Sequence, residues 1–160
     1  MGVLAALAMT ASLLTATTAP ASAAATACNH DGGLSFNACL TIEYAGNSRW
    51  DVRVGFDRYL PKPYADEVLG CTGGGVFFSV LWGDDGGHPE DDDLGSIPLV
   101  AGFPQSGSNP TGLFAEFFRP AMNLNEDSGQ DEVVAEVTYF DCHGRGDWYT
   151  YRTGTLKGSF

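Results

Sequence analysis

Short segments in which apolar and polar residues alternate recur along this chain, and that alternation constrains its fold more than any other feature. The segment 50–57 is the clearest, because its even positions are apolar and three of its odd positions are charged. Successive side chains of a strand point to opposite faces, so such a segment predicts a strand with one buried face. Six other segments have the character of strands and are separated by turns rich in Gly, Pro and Asn: 40–45, 76–82, 97–103, 113–118, 132–140 and 148–156.

These segments predict an all-β fold with little helix. The only helical candidate is a turn or two over 64–69. Short turns join neighbouring strands antiparallel, and about seven such strands are typical of a single antiparallel β-sandwich or barrel. The alternation does not distinguish the sandwich from the barrel, and it leaves the order of the strands open.

Four cysteines add a covalent constraint to this fold, and four cysteines allow three pairings. We predict two disulfides, Cys28–Cys39 and Cys71–Cys142. Between Cys28 and Cys39 lies Asp31-Gly32-Gly33, a turn that can reverse the chain and bring the two cysteines together. Zinc binding is the competing use of four cysteines, but the sequence lacks the C-x-x-C spacing that is typical of zinc sites.

The N-terminal stretch has the character of a secretory leader, although it lacks a Lys or Arg before its apolar run. The first 27 residues carry no charged side chain, and the apolar run 3–14 is followed by Ala21-Ser22-Ala23, a small-x-small pattern for signal peptidase. A transmembrane anchor is the alternative, but crossing a bilayer takes about 20 apolar residues. We therefore predict a signal peptide over 1–23 and a mature domain over 24–160, secreted to an extracellular compartment in which thiols oxidise.

The charge of the chain limits its partners. Its 20 acidic and 8 basic residues give a formal net charge of −12. Nucleic acid and anionic membrane surfaces repel so acidic a domain. We therefore predict no nucleic-acid partner and, once the leader is removed, no membrane insertion. We also expect a monomer.

The segment 84–93 holds six carboxylates and no basic residue. Calcium binds to oxygen ligands in flexible, Gly-containing loops. One hypothesis is therefore a Ca²⁺ site that uses Asp84, Asp85, Asp91 and Asp93. The other interpretation is a solvated loop that keeps the protein soluble, and the spacing of the acids does not match an EF-hand. We predict no other cofactor.

The familiar signatures of catalysis are absent from the sequence. It contains neither G-x-S-x-G nor H-E-x-x-H, so we predict no catalytic residues. Three glutamates in predicted strands, Glu43, Glu116 and Glu136, are nevertheless candidates for the paired carboxylates of a small secreted hydrolase, which lie about 5–9.5 Å apart. The alternative is ordinary pairing across strands with Arg53 or Arg152.

The last predicted strand carries aromatic residues on both faces, with Trp148 on one and Tyr149 and Tyr151 on the other. Sugar-binding β-sandwiches use a planar row of exposed rings that stack on pyranose faces. One hypothesis is therefore that Trp148, Tyr149 and Tyr151 contribute to a ligand-binding surface. The other is that one set fills the core and the other flanks an edge.

Together these features favour a secreted, non-catalytic, disulfide-stabilised β domain that binds an extracellular protein or a carbohydrate. Inhibition of a secreted enzyme is one form that such binding takes. Loops held by disulfides lose little entropy on binding. The irregular segment 102–112 is a candidate for a loop presented to a protein partner. The alternative function is a small secreted hydrolase that uses carboxylates carried on its strands.

Overall fold

The computed structural model describes residues 24–30, 35–71, 77–83, 92–107, 112–125, 131–143 and 146–160. These residues form ten strands and one short helix, and the strands pair antiparallel in two sheets. The predicted all-β fold with little helix is thus confirmed, and the two sheets are consistent with a β-sandwich. The elements are β1 Ala25–His30, β2 Phe36–Gly46, β3 Arg49–Arg58, α1 Lys62–Gly70, β4 Phe77–Gly83, β5 Asp92–Ile97, β6 Gln105–Ser106, β7 Leu113–Met122, β8 Asp131–Asp141, β9 Asp147–Arg152 and β10 Leu156–Gly158.

The first sheet has the order β1-β2-β3-β7-β6, and the second has β5, β4 and β8 side by side. The far side of β8 is shared by two strands, because β9 pairs with residues 136–141 and β10 with residues 131–133. Between them, Thr153 continues the ladder: its N–H donates to Ala135 O (2.9 Å), and its Oγ1 accepts from Ala135 N–H (3.0 Å). β8 therefore has paired neighbours along both of its sides.

The core lies between the two sheets and is built from alternate residues of their central strands. β3 buries its even positions Val52, Val54 and Phe56. β8 buries odd positions, among them Tyr139, whose ring centroid lies 6.1 Å from that of Phe56. Burying a side chain of this size stabilises the fold by about 1.5–3 kcal/mol. The rows that face each other between the sheets therefore supply most of the driving force for folding.

The sides of the sandwich are closed at two places. After β5 the chain leaves the second sheet and joins the first, where Phe118 N–H donates to Pro98 O (2.9 Å). On the opposite side, β1 approaches the segment between β9 and β10 so closely that a Cβ on Gly154 would lie 3.0 Å from Cys28 O. Glycine permits this close approach of two backbones, because it has no Cβ.

Both predicted disulfides are present. Cys28 and Cys39 lie directly opposite each other in the β1–β2 ladder, with their Cα atoms 4.0 Å apart. Cys71 and Cys142, with Cα atoms 6.0 Å apart, follow the last residues of α1 and β8 respectively. The first bond therefore closes a short hairpin, whereas the second ties the helix to a strand that ends 71 residues further along the chain.

Polar side chains reinforce the second disulfide. The hydroxyl of Tyr64 on α1 donates to Asp141 Oδ2 at the end of β8 (2.6 Å), and His143 Nδ1 lies 2.8 Å from Glu67 Oε2. The hydrogen bond to Asp141, together with burial, raises the pKa of Tyr64 to about 12, because both favour the neutral phenol. α1 is thus held to the end of β8 by covalent and polar contacts.

The structure has ten strands where the sequence predicts about seven. The two-residue β6 falls outside the predicted segments. So do β1 and β5, which lack clear alternation, and β5 also contains Gly95 with a φ of 110°. Their strand conformation comes from pairing with β2 and β4. The predicted strand 148–156 is divided at Gly154 into β9 and β10. Most of the predicted strand 97–103 is reduced to a single bridge between Leu99 and β7.

The predicted signal peptide, residues 1–23, lies outside the described residues and stays a prediction. The disulfides are compatible with the extracellular compartment that such a leader implies. Within the described part of the chain, no helix has the length and apolar character that spanning a membrane requires.

Candidate functional site

Strands β4, β8 and β9 form most of the outer face of the second sheet, which points away from the core. On β8, Tyr139 is buried in the core, so its neighbours Thr138 and Phe140 point outward. The register then places Phe78 of β4 opposite Thr138, and Trp148 of β9 opposite Phe140. Aromatic side chains from three adjacent strands therefore meet on this face.

Phe78, Phe140 and Trp148 form what we call the aromatic patch. The ring of Trp148 contacts both of the others, with its centroid 5.9 Å from that of Phe78 and 5.1 Å from that of Phe140. Trp148 is 56% exposed and Phe78 is 43% exposed, while Phe140 is partly covered. A ligand that covers such rings gains about 25 cal/mol per Å² of apolar surface removed from water, so the patch is a candidate binding surface.

Two threonines adjoin the aromatic patch. Thr138 and Thr150 lie opposite each other in the β8–β9 ladder, and their Oγ1 atoms are 2.9 Å apart. Phe78 is the β4 partner of Thr138, and Trp148 precedes Thr150 by two residues on the same face of β9. A hydroxyl offers one donor and two acceptor positions. The pair therefore keeps hydrogen-bonding capacity after its shared bond.

An ion pair follows the threonines along the same two strands. Arg152 Nε donates to Glu136 Oε1 (2.8 Å), and the other carboxylate oxygen accepts from Trp82 Nε1 of β4 (3.1 Å). The side chain of Glu136 is 20% exposed and that of Arg152 is 31% exposed. Partial burial reduces screening by water, so this pair is stronger than a fully exposed one. It links the outer faces of β4, β8 and β9.

The two tyrosines of β9 lie on the opposite face from Trp148, as alternation requires. Both stack on Tyr139, with interplanar angles of 26° for Tyr149 and 6° for Tyr151. Burial raises the pKa of the Tyr139 hydroxyl, because a phenolate would be poorly solvated there. Tyr151 packs against the core, while Tyr149 keeps 39% exposure. Of the three aromatic residues predicted to contact a ligand, only Trp148 belongs to the aromatic patch.

The rings of the aromatic patch do not form the planar row that is typical of sugar-binding sandwiches. The ring of Trp148 is inclined by 58° to Phe78 and by 50° to Phe140. Adjacent strands of a sheet are rotated by about 20–25°, so rings on successive strands are not forced into one plane. A flat ligand therefore cannot stack on Trp148 and on one of the phenylalanines at once.

The three glutamates of the hydrolase hypothesis do not form a carboxylate pair. Glu136 lies on the outer face of the second sheet, whereas Glu43 and Glu116 lie on the outer face of the first. β3 separates those two, with an offset of four residues along the strands, which places them roughly 16 Å apart. Glycosidase carboxylates lie within about 9.5 Å. Glu116 and Glu136 instead pair with Arg53 and Arg152, which is the cross-strand alternative.

Three of the four aspartates predicted to bind Ca²⁺, Asp84, Asp85 and Asp91, lie outside the described residues. The fourth, Asp93, is exposed on β5, and its Oδ1 accepts a hydrogen bond from Gly95 N–H (2.8 Å). Among the residues that the structure describes, no three or more His, Cys, Asp or Glu side chains are grouped so that they could hold a metal ion. The Ca²⁺ site stays a prediction.

The irregular segment 102–112 is partly held in the first sheet. β6 pairs with β7, and Gly107 N–H donates to Gly112 O (2.8 Å). The ring of Phe103 packs edge-to-face on Phe114, with centroids 5.9 Å apart. Residues 108–111 lie outside the described residues. The described part thus forms an edge of the sheet and is not a freely presented loop.

Sequence reasoning missed Phe78 and Phe140. The segment 76–82 is apolar at nearly every position, which predicts a strand covered on both faces, yet Phe78 is exposed. The alternation of 132–140 places Phe140 on the same face as Glu136, and this pattern indicates that the ring points outward. Only the register of β4, β8 and β9 shows that these rings meet Trp148.

The outer face of the second sheet thus combines exposed rings, a pair of hydroxyls and a partly buried ion pair. These groups can stack on a ligand and form hydrogen bonds to it. No protein-family model, curated protein or solved structure matches this chain.

Proposed function

We propose that this chain is a secreted, non-catalytic binding domain that captures an extracellular protein or carbohydrate on the aromatic patch. The observation that carries the proposal is the exposure of Trp148 and Phe78 side by side on one sheet face. Aromatic residues, Trp above all, contribute most of the binding energy at many protein surfaces. Inhibition of a secreted enzyme is one consequence that such capture would have.

The way in which the patch is held also supports binding. Phe140 belongs to β8, which is paired on both sides, and the ion pair of Glu136 with Arg152 links β8 to β9. Cys142, two residues after Phe140, is bonded to Cys71. A surface that is fixed before its ligand arrives loses little conformational entropy on binding.

Variants of the exposed rings test this proposal. The chain from residue 24 onward is immobilised as wild type, Trp148→Ala, Phe78→Ala and Tyr44→Ala, and each form is used to capture ligands from culture supernatant. Tyr44 is the matched control, because its ring is 45% exposed but lies on β2 of the first sheet. We expect wild type and Tyr44→Ala to retain the same ligand, and the two patch variants to bind it about tenfold or more weakly.

Thermal melts verify that each variant folds before capture is compared. A ligand that binds Trp148→Ala and Phe78→Ala as tightly as wild type contradicts the proposal. An equal loss of binding in Tyr44→Ala also contradicts it, because the effect would then not belong to the aromatic patch.

A further inference from the structure

We infer that the ligand of the aromatic patch is a soluble, uncharged oligosaccharide of pyranose sugars, whose chain turns between the rings. This inference rests on the proposed binding function and names the class of ligand. Three properties of the outer face support it: its charge, the hydrogen-bonding groups beside the rings, and the inclination of the rings.

The outer face of β4, β8, β9 and β10 carries no net charge, although the whole chain carries −12. By alternation, its outward charged residues are two glutamates, and each pairs with a base: Glu136 with Arg152, and Glu132 with Lys157. Asp93 of β5, opposite Trp82, lies at the margin of this face and adds one acid there. A face without net charge does not select a charged ligand by electrostatic attraction. In so acidic a chain, this neutrality favours an uncharged ligand.

Hydrogen-bonding groups lie directly beside the rings. A pyranose has apolar C–H faces and a rim of hydroxyl groups, so it needs aromatic rings and polar groups side by side. Trp148 supplies a ring, and Thr150 supplies an exposed hydroxyl that shares only one hydrogen bond with Thr138. A protein partner suits the face less well, because interface cores are depleted of charge and here Glu136 and Arg152 adjoin the threonines.

The angles between the rings determine the shape of the ligand. The ring of Phe78 is inclined by 58° to that of Trp148, so two sugars that stack on them must turn relative to each other. The centroids are 5.9 Å apart, a separation that neighbouring sugars of one chain can span. The surface of a crystalline polysaccharide presents parallel sugar rings and cannot stack on Phe78 and Trp148 together.

Calorimetric titration with defined sugars tests the inference. The uncharged probes are maltohexaose, cellohexaose, mannohexaose and N-acetylchitohexaose. Hexagalacturonate is the anionic probe, and microcrystalline cellulose, measured by depletion, is the flat one. We expect at least one uncharged probe to bind with a Kd below about 1 mM, and the anionic and flat probes to bind at least about tenfold more weakly.

Variants then show whether the sugar occupies the patch. Trp148→Ala should raise the Kd about tenfold or more, because stacking is lost. Thr150→Val removes the hydroxyl and should raise the Kd about threefold to tenfold, whereas Thr150→Ser keeps the hydroxyl and should retain most of the affinity. Tyr44→Ala is the control and should leave the Kd unchanged.

The possible failures are distinguishable. The inference is overturned if none of the uncharged probes binds at about 5 mM, if sugar affinity is unchanged in Trp148→Ala, or if cellulose binds as tightly as the best oligosaccharide. If no sugar binds but Trp148→Ala still fails to capture a supernatant protein, the sugar inference falls and the proposed binding function stands. If capture is also insensitive to Trp148→Ala, both fall.

Discussion

The outer faces of the two sheets differ in whether a neighbouring side chain covers their aromatic rings. On the first sheet, the guanidinium of Arg53 lies over the ring of Phe118, 4.2 Å from its centroid, and shields it. On the second sheet, Arg152 is held by Glu136, and the ring of Trp148 stays exposed. An aromatic residue on a strand face is therefore a binding candidate only when its neighbours across the sheet leave it uncovered.

Charge separates the two faces as well. Over residues 51–57 of β3 and their partners on β2 and β7, the outward charged residues are Glu43, Asp51, Arg53, Asp57 and Glu116. Four acids and one base give this region a net charge of −3, whereas the outward charges of β4, β8, β9 and β10 sum to zero. The acidity of the chain is thus unevenly distributed, so the first face attracts cations and the second accepts neutral groups.

The largest expected effect comes from removing the disulfide of each sheet. Replacing Cys71 and Cys142 by Ser should lower the free energy of unfolding by about 4 kcal/mol, and replacing Cys28 and Cys39 by about 3 kcal/mol. The loops that they close span 71 and 11 residues, and the entropy gained by the unfolded chain rises with loop length. Urea denaturation of both double variants measures these losses. A larger loss from the Cys28–Cys39 pair would contradict this order.

High pH should weaken the contact between Tyr64 of α1 and Asp141 at the end of β8 in the second sheet. The folded-state pKa of Tyr64 is raised from 10.0 to about 12. A raised folded-state pKa gives stabilisation that is fully present below about pH 10 and is lost as the pH rises through about 12. Urea denaturation between about pH 9 and 12 should therefore show a falling free energy of unfolding, with a shallower fall in Tyr64→Phe. An equal slope in both proteins would rule out the hydrogen bond to Asp141 as the cause.

The coupling energies of the ion pairs on the two faces should differ by a smaller amount. We expect a coupling energy of about 1–2 kcal/mol for Glu136 with Arg152, and about 0.5 kcal/mol or less for Arg53 with Glu116. The latter pair is longer, 3.4 Å, and its side chains are more exposed. Double-mutant cycles with Ala substitutions and urea denaturation measure both energies. Equal coupling energies for the two pairs would show that burial does not strengthen the pair of Glu136 with Arg152.

The smallest expected change in stability follows from Arg53→Ala. This variant uncovers Phe118 and should change the free energy of unfolding by at most about 1 kcal/mol. The face then becomes more acidic, so we expect it to gain no affinity for the ligand of the aromatic patch. The capture assay measures this directly. Binding of that ligand by the first face of Arg53→Ala/Trp148→Ala would show that ring exposure alone is sufficient.

Much of the architecture could be predicted because alternation is a local property. The segment 50–57 lies within β3, and 132–140 lies within β8. The short disulfide was predictable because the sequence Asp31-Gly32-Gly33 between its cysteines is typical of a turn. β5 was not, because its aspartates and Gly95 disfavour a strand, and its strand conformation depends on pairing with β4.

The candidate site was less predictable, because it depends on register. Alternation allows Trp148 or its tyrosine neighbours to face outward, and it does not decide between them. The outcome is set by Tyr139, onto which both tyrosines stack from the inner face of β9. Arg152 was anticipated as a cross-strand partner of a glutamate, since opposite charges on neighbouring strands attract. The meeting of Phe78 with Trp148 spans β8, and no single segment contains that information.

The two faces of β8 have separate roles, and this separation affects which substitutions the domain can tolerate in evolution. Its odd positions fill the interior, and its even positions, such as Thr138 and Phe140, face the surface on which we place recognition. Exchanging Phe140, which is partly exposed, leaves the inward row intact and so opens no cavity between the two sheets. Substitutions at exposed positions of this strand, in evolution or in a laboratory library, can therefore change its ligand specificity without changing the fold.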